Sequence, residues 1–144
     1  MVLNTVPRSD GRAGDPASAA TPQVWVQRLR LTNFRNYRDL TLQTGPEPVV
    51  LTGSNGSGKT NLLEAVSLLT AGQGLRRAPF PELASMGSSA WAVAATVHTP
   101  HGPVDIGTGL KGDGGTRSGR VVRINGEDQT GSGSLSGLVD ASWL

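Results

Sequence analysis

The chain has no cysteine, so disulfides, thiolate zinc sites and cysteine redox chemistry are excluded, and a reducing compartment is permitted. No apolar run approaches the roughly 20 residues that a membrane-spanning helix needs. Residues 1–22 hold no continuous apolar core and do not read as a signal peptide. Aromatics are few, at three Trp, one Tyr and two Phe, and they do not interleave with the basic residues, so stacking on nucleobases is not supported. Lysine is scarcer still: Lys59 and Lys111 are the only two.

Glycine, by contrast, is abundant. The chain's 144 residues suffice for one modest domain and no more; the apolar fraction of 36 % is low for a compact domain, and twenty glycines and nine prolines, which mark many turns, explain part of that. Residues 23–123 hold eleven basic and six acidic side chains, a net of +5. Residues 124–144 hold Glu127, Asp128 and Asp140 with no base, a net of −3. A mildly basic body suits a polyanionic partner, and equally suits a solvated surface.

Residues 1–22 are rich in Gly, Pro, Ala, Ser and Asp without periodicity and read as a disordered leader, with the ordered domain spanning 23–144. Val24–Leu31 alternates, which places Trp25, Leu29 and Leu31 on one strand face. A polar turn at Asn33–Asp39 leads to a second strand at Leu40–Leu42, and the pair reads as an antiparallel hairpin. Val49–Thr52 reads as a buried strand. After a glycine-rich loop, Leu62, Leu63, Val66 and Leu69 recur at helical spacing over Thr60–Thr70, with Asn61, Glu64 and Ser67 elsewhere on the wheel. Gly72 and Gly74 stop that helix. Ala90–His98 and Val104–Leu110 read as paired strands, and Trp91, Val93, Ala95 and Val97 share a face. Lys111–Gly119 reads as a polar glycine-rich loop. Arg120–Ile124 is a strand entering an Asn125-Gly126 hairpin turn. Trp25 and Trp91 read as core. His98 and His101 sit in a Pro/Gly turn without carboxylates at metal-ligand spacing.

Gly53-Ser54-Asn55-Gly56-Ser57-Gly58-Lys59-Thr60 fits G-x-x-x-x-G-K-[ST]. The glycines permit positive φ and keep Cβ atoms away from a ligand. Successive N–H groups can then cradle phosphate oxygens, with the positive end of the following helix beneath them. Lys59 supplies a compact ammonium on a flexible stem, where the planar fork of an arginine would fit badly. The Thr60 hydroxyl is placed to ligate Mg2+. The strand before the loop and the helix after it supply the context the motif needs. The motif predicts binding of a nucleotide through its phosphates, together with Mg2+.

Leu31-Thr-Asn-Phe-Arg-Asn-Tyr37, followed by Leu51–Leu69, resembles the start of the RecF family of DNA replication and repair proteins, over roughly residues 24–125. Gly72-Gln-Gly-Leu-Arg-Arg77 is similar to the segment that follows the helix in that family. The resemblance implies an α/β fold: the N-terminal lobe of an ABC-type P-loop ATPase head, with a mostly antiparallel sheet beside the P-loop strand and helix. It implies binding of ATP and Mg2+, ATP-dependent dimerisation, and binding of DNA at gaps or single-strand junctions. It also implies cooperation with RecO and RecR in loading RecA, a part in the SOS response, and a cytoplasmic location. By motif match Gly53–Thr60 hold the phosphates, Thr60 the metal, and Arg35 aligns with an arginine that lies near the nucleotide in related heads.

The sequence departs from a full head in what is missing. No glutamine loop, signature segment, acidic Walker B strand or switch histidine is identifiable. Gly131–Gly137 superficially resembles a signature loop, comes too early, and reads as a linker. The simplest account is an N-terminal part of such a head that hydrolyses little ATP by itself. The alternatives are a P-loop kinase of a small substrate and a non-functional remnant. Three arginine groups, Arg28/Arg30/Arg35/Arg38, Arg76/Arg77 and Lys111/Arg117/Arg120/Arg123, are candidates for phosphate-backbone contact.

Overall fold

The computed structural model describes residues 2–5, 24–112 and 119–141. Its strands are β1 (Val2–Thr5), β2 (Trp25–Phe34), β3 (Tyr37–Gln43), β4 (Val49–Thr52), β5 (Trp91–Thr99), β6 (Gly102–Leu110), β7 (Val121–Ile124) and β8 (Glu127–Gln129). One α-helix, α1, spans Lys59–Ser67, and 3-10 turns occupy Phe80–Leu83 and Ser132–Leu135. Six strands form one antiparallel sheet in the order β3-β2-β5-β6-β7-β8, and β1 pairs with β4 separately.

Sequence alternation dictates the inner face of the sheet. Leu29 and Leu31 of β2 meet Trp91, Val93, Ala95 and Val97 of β5, Ile106 and Leu110 of β6, and Val122 of β7, all buried. Leu62, Ala65, Leu68 and Leu69 of the α1 region close over them. Trp91 is fixed in this core by its indole N–H, which donates to Phe80 O at 2.7 Å, and by an edge contact with Phe34 at 5.6 Å between ring centroids. The β7–β8 turn has Asn125 at φ 50 and Gly126 at φ 85, the two positive values that a tight Asn-Gly hairpin requires.

Four expectations change. Trp25 does not share the Leu29 and Leu31 face, because a bulge between Val26 and Arg28 shifts the register. Trp25 turns instead to the outer face and stacks on His98, with ring centroids 3.8 Å apart. The strand at Val49–Thr52 forms but is not buried: Val49 and Val50 are 40 % and 43 % exposed, because β4 pairs with β1 and stands outside the six-stranded sheet. With Leu63 and Val66 these valines line an open apolar groove of about 550 Å3. The reading of Gly131–Gly137 as a linker is replaced by a 3-10 turn whose Leu135 is fully buried in the core. Val2–Thr5, read as part of a disordered leader, is a strand; residues 6–23 of that segment, and 113–118 of the glycine-rich loop, lie outside the described residues.

The helix is fastened at its C-terminal end from the sheet. Arg120, just before β7, reaches back under α1. Its Nε donates to Thr108 Oγ1 at 2.7 Å and its Nη2 to Thr70 O at 3.3 Å; Nη1 also binds Gly72 O and Nη2 binds Leu68 O. These carbonyls belong to the turn that follows the end of α1 directly, and a cation there complements the helix dipole. Burial pushes the Arg120 guanidinium below its usual value, but an arginine stays charged at any neutral pH. Arg120→Ala strands several carbonyls at once. It is expected to lower unfolding free energy by about 2–3 kcal/mol, read as a lower urea midpoint with an unchanged slope.

Candidate functional site

The loop expected to hold phosphate lies between β4 and α1. Gly53, Gly56 and Gly58 have φ of 147, 82 and 97, a backbone that L side chains rarely adopt. Gly58 caps the N-terminus of α1 with no side-chain hydrogen bond, and no acid occupies the first turn. The N–H groups that open the helix therefore carry no capping carboxylate or hydroxyl and face the loop with the positive end of the dipole. Ser57 N–H donates to Ser54 O at 3.2 Å and closes the loop on itself. At Gly56 a Cβ would meet nothing within 4 Å, so the loop is open there.

Lys59 folds back over this loop. Its Nζ donates to Gly53 O at 2.6 Å, Ser54 O at 2.8 Å and Ser57 Oγ at 3.4 Å. The ammonium thus lies across the loop that the sequence assigns to anion binding and borrows backbone carbonyls as acceptors. A phosphate oxygen in the cradle is a stronger acceptor for the same three donors. Thr60 follows in the first turn and is exposed, and Asn55 is exposed at the loop tip.

The turn between β2 and β3 forms the wall of the site. A Cβ at position 58 would fall 2.4 Å from Tyr37 Oη and 2.6 Å from Asn36 Nδ2, so only glycine lets the hairpin turn approach the loop this closely. Asn61 Nδ2 donates to Asn36 Oδ1 at 2.8 Å. Arg35 sits in the turn with φ 52. The strain of that conformation is offset by a backbone bond from Arg35 N–H to Leu83 O at 2.8 Å and by a neighbouring one from Ser85 N–H to Asn33 O at 2.8 Å.

Arg35 was expected beside phosphate. Its guanidinium instead forks onto the carboxylate of Glu64, with Nε to Oε2 at 2.9 Å and Nη2 to Oε1 at 3.0 Å, while Nη1 donates to Glu82 O at 3.1 Å. The Glu64 side chain is 2 % exposed. Any direct phosphate contact by Arg35 would break this pair and leave a buried carboxylate without its main partner, a cost of about 3–5 kcal/mol. Glu64 is the residue that sequence reasoning missed. It was placed off the apolar stripe of the helix, yet the structure turns Glu64 and Ser67 inward and leaves Leu63 42 % exposed. Ser67 Oγ donates to Glu64 O at 2.6 Å and accepts Leu75 N–H at 2.7 Å, so the buried polar side of the helix is fully bonded.

The other candidate cations divide by environment. Arg30 pairs with Asp39 at 3.5 Å and Arg123 pairs with Asp128, both on the outer sheet surface. Arg120 is consumed beneath the helix. Arg28, Arg38, Arg76, Arg77 and Lys111 are exposed, and Arg117 lies outside the described residues. No described helix is long and apolar enough to cross a membrane.

An antiparallel sheet carrying a P-loop strand and helix on its flank is the architecture of the N-terminal lobe of an ABC-type ATPase head. Residues 28–135 match the AAA domain family, and the chain belongs to it. Among curated proteins it is similar to the DNA replication and repair protein RecF of Mesorhizobium japonicum, 46 % identical over 124 residues that make up 85 % of this chain and 32 % of the relative. RecF of Brucella suis is 47 % identical over 116 residues, 79 % of this chain and 30 % of the relative. The chain thus spans about a third of the length of these relatives, and the resemblance to the N-terminal part of RecF is borne out. Among solved structures, that of the recombination mediator protein RecF-ATP in the RecFOR pathway superposes with a TM-score of 0.66 at 24 % identity, over 80 % of this chain and 31 % of that one. The SMC head domain from Thermotoga maritima gives 0.52 at 16 % identity, over 73 % of this chain and 38 % of that one. These two likenesses carry the fold.

Burial beside the loop pushes the Tyr37 phenol above its ordinary value of 10.0. The folded state therefore favours the neutral phenol. The stability this gives is complete below the unfolded value of about 10 and is lost as pH rises through the folded one. Because Tyr37 is the only tyrosine, phenolate absorbance reads it directly. The native chain is expected to titrate at higher pH than the chain in denaturant; identical curves would place Tyr37 in water.

Proposed function

We propose that this chain binds ATP with Mg2+ as the P-loop lobe of a RecF-type head serving recombinational repair and replication restart. One observation carries the reading: Gly53, Gly56 and Gly58 in positive φ lead into an uncapped helix N-terminus, with the Lys59 ammonium drawn over the same loop. The donor set fits the ligand. Backbone N–H groups of Gly53–Lys59 would donate to phosphate oxygens, and Lys59 would leave its two carbonyls for the β- and γ-phosphates. The Thr60 hydroxyl would hold Mg2+, which when bound would neutralise charge between those phosphates. Arg35, aligned with a nucleotide-proximal arginine in related heads, serves this site through Glu64 and reaches phosphate only if that pair opens.

The RecF relatives, named for DNA replication and repair, and the RecFOR pathway named with the solved structure support a DNA partner and cooperation with RecO and RecR; loading of RecA at gaps and a part in the SOS response extend the same proposal. The exposed Arg28, Arg38, Arg76, Arg77 and Lys111 would meet DNA phosphates without reading sequence. ATP-dependent dimerisation and a cytoplasmic setting belong to the same reading. Turnover is not assigned to this lobe: the carboxylate that follows the loop most closely, Glu64, is tied to arginine and is not poised to orient a water. A small-substrate kinase is disfavoured by the six-stranded antiparallel sheet.

The test is a thermal melt with and without Mg-ATP, run beside Lys59→Ala. At a hundred times its dissociation constant the ligand adds about 2.7 kcal/mol to the folded state, and the rise in Tm is expected to vanish in the variant. A cooperative melt that Mg-ATP does not move contradicts nucleotide binding by this chain.

A further inference from the structure

Glu64 is a buried acid with more cation than it needs. The Arg35 fork alone satisfies both carboxylate oxygens. Yet Arg76, 45 % exposed, also approaches Oε2, at 3.9 Å. Arg76 Nη1 donates to Asn61 Oδ1 at 3.3 Å, and Asn61 Nδ2 donates to Asn36 Oδ1 at 2.8 Å. Asn36 is the chain neighbour of Arg35. The five side chains form a ring: Arg35, Glu64, Arg76, Asn61, Asn36. The ring lies along one side of α1, at Asn61 and Glu64, and joins three separate segments, the hairpin turn, the helix and the stretch after it. Asn61 lies directly after Thr60, so any movement of the P-loop helix on filling is passed into the ring.

Resting on the nucleotide reading above, we propose that Glu64 is a positioning residue of that site. Its carboxylate fixes Arg35 and Arg76 against the flank of the P-loop helix, and so couples filling of the cradle to the placement of the hairpin turn and of residues 72–77. Without the carboxylate, two guanidinium groups face each other with no anion between them, and the ring opens. The hairpin turn, which packs on Gly58, then loses its charged tether to the helix and keeps only the Asn36–Asn61 hydrogen bond.

Charge alone and positioning predict opposite signs for Glu64→Gln. Removing a negative charge beside an anion site strengthens anion binding if only electrostatics matters. Loss of positioning weakens it. The experiment measures Mg-ATP affinity by calorimetry for the parent chain, Glu64→Gln, and Val122→Ala, a core substitution remote from the ring that matches any loss of Tm. It follows the arginine Nε–Hε signals by NMR in parallel.

The expected result is about a tenfold weaker Mg-ATP affinity in Glu64→Gln with loss of the protected Arg35 Nε–Hε signal, while Val122→Ala binds as the parent does. If Glu64→Gln does not fold, Arg76→Ala serves, since Arg76 is half exposed. It is expected to bind Mg-ATP several-fold more weakly and to lose the response of the Arg35 signal to nucleotide. Equal or tighter binding by Glu64→Gln, an equal loss in Val122→Ala, or unchanged binding by Arg76→Ala overturns the inference. Absence of Mg-ATP binding by the parent overturns the nucleotide reading and this inference together; binding that Glu64→Gln leaves untouched overturns this inference alone.

Discussion

Everything at the site depends on how one nine-residue helix is held. A helix that short does not persist in water by its own hydrogen bonds. Here the sheet supplies the missing stability, and it does so largely through arginine. Arg35 grips the middle of α1 through Glu64, and Arg120 grips the carbonyls at its C-terminal end. Apolar contacts of Leu62, Ala65, Leu68 and Leu69 fill the space between them. Arginine suits both posts because its planar fork stays charged and can satisfy several acceptors at once. The single lysine of the site does the opposite work. In the proposed site it would release its partners to an arriving phosphate, which a compact ammonium on a flexible stem can do.

The helix N-terminus is thereby left free of competing groups. There is no side-chain cap and no acid in the first turn, and Gly58 brings the Asn36 and Tyr37 wall into contact with the loop. The one strong charge nearby, Glu64, is neutralised by cations on both sides. The local field at the loop is that of backbone amides and Lys59, which is the field a polyphosphate requires. Stability and binding are consequently linked: the contacts that hold the helix also keep its open end aimed at the loop.

Much of this was legible in the sequence. The motif at Gly53–Thr60 declared itself because its glycines, lysine and threonine each answer a separate physical need. The inner face of β5 was legible because Trp91, Val93, Ala95 and Val97 alternate without interruption. The failures share one cause, which is that long-range contact overrode a local pattern. One extra residue near Gln27 reversed the face of Trp25. Glu64 and Ser67 looked solvent-facing because helical periodicity cannot foresee an arginine arriving from a hairpin turn 29 residues earlier in the chain. Val49–Thr52 looked buried because β-branched runs usually are, yet its pairing with β1 sets it outside the main sheet. Leu135 was hidden in a run of glycine and serine, and only its burial in the core shows the 3-10 turn to be structural.

Hydrogen exchange of the backbone amides from Gly53 to Ser67, with and without Mg-ATP, tests most directly whether the pinned helix presents a working cradle. The account predicts that the amides of α1 exchange only by opening of the whole domain, and that loop amides from Gly56 to Lys59 exchange fast alone and slowly with nucleotide. Rapid exchange throughout α1 in the folded protein, or loop amides indifferent to nucleotide, would contradict it.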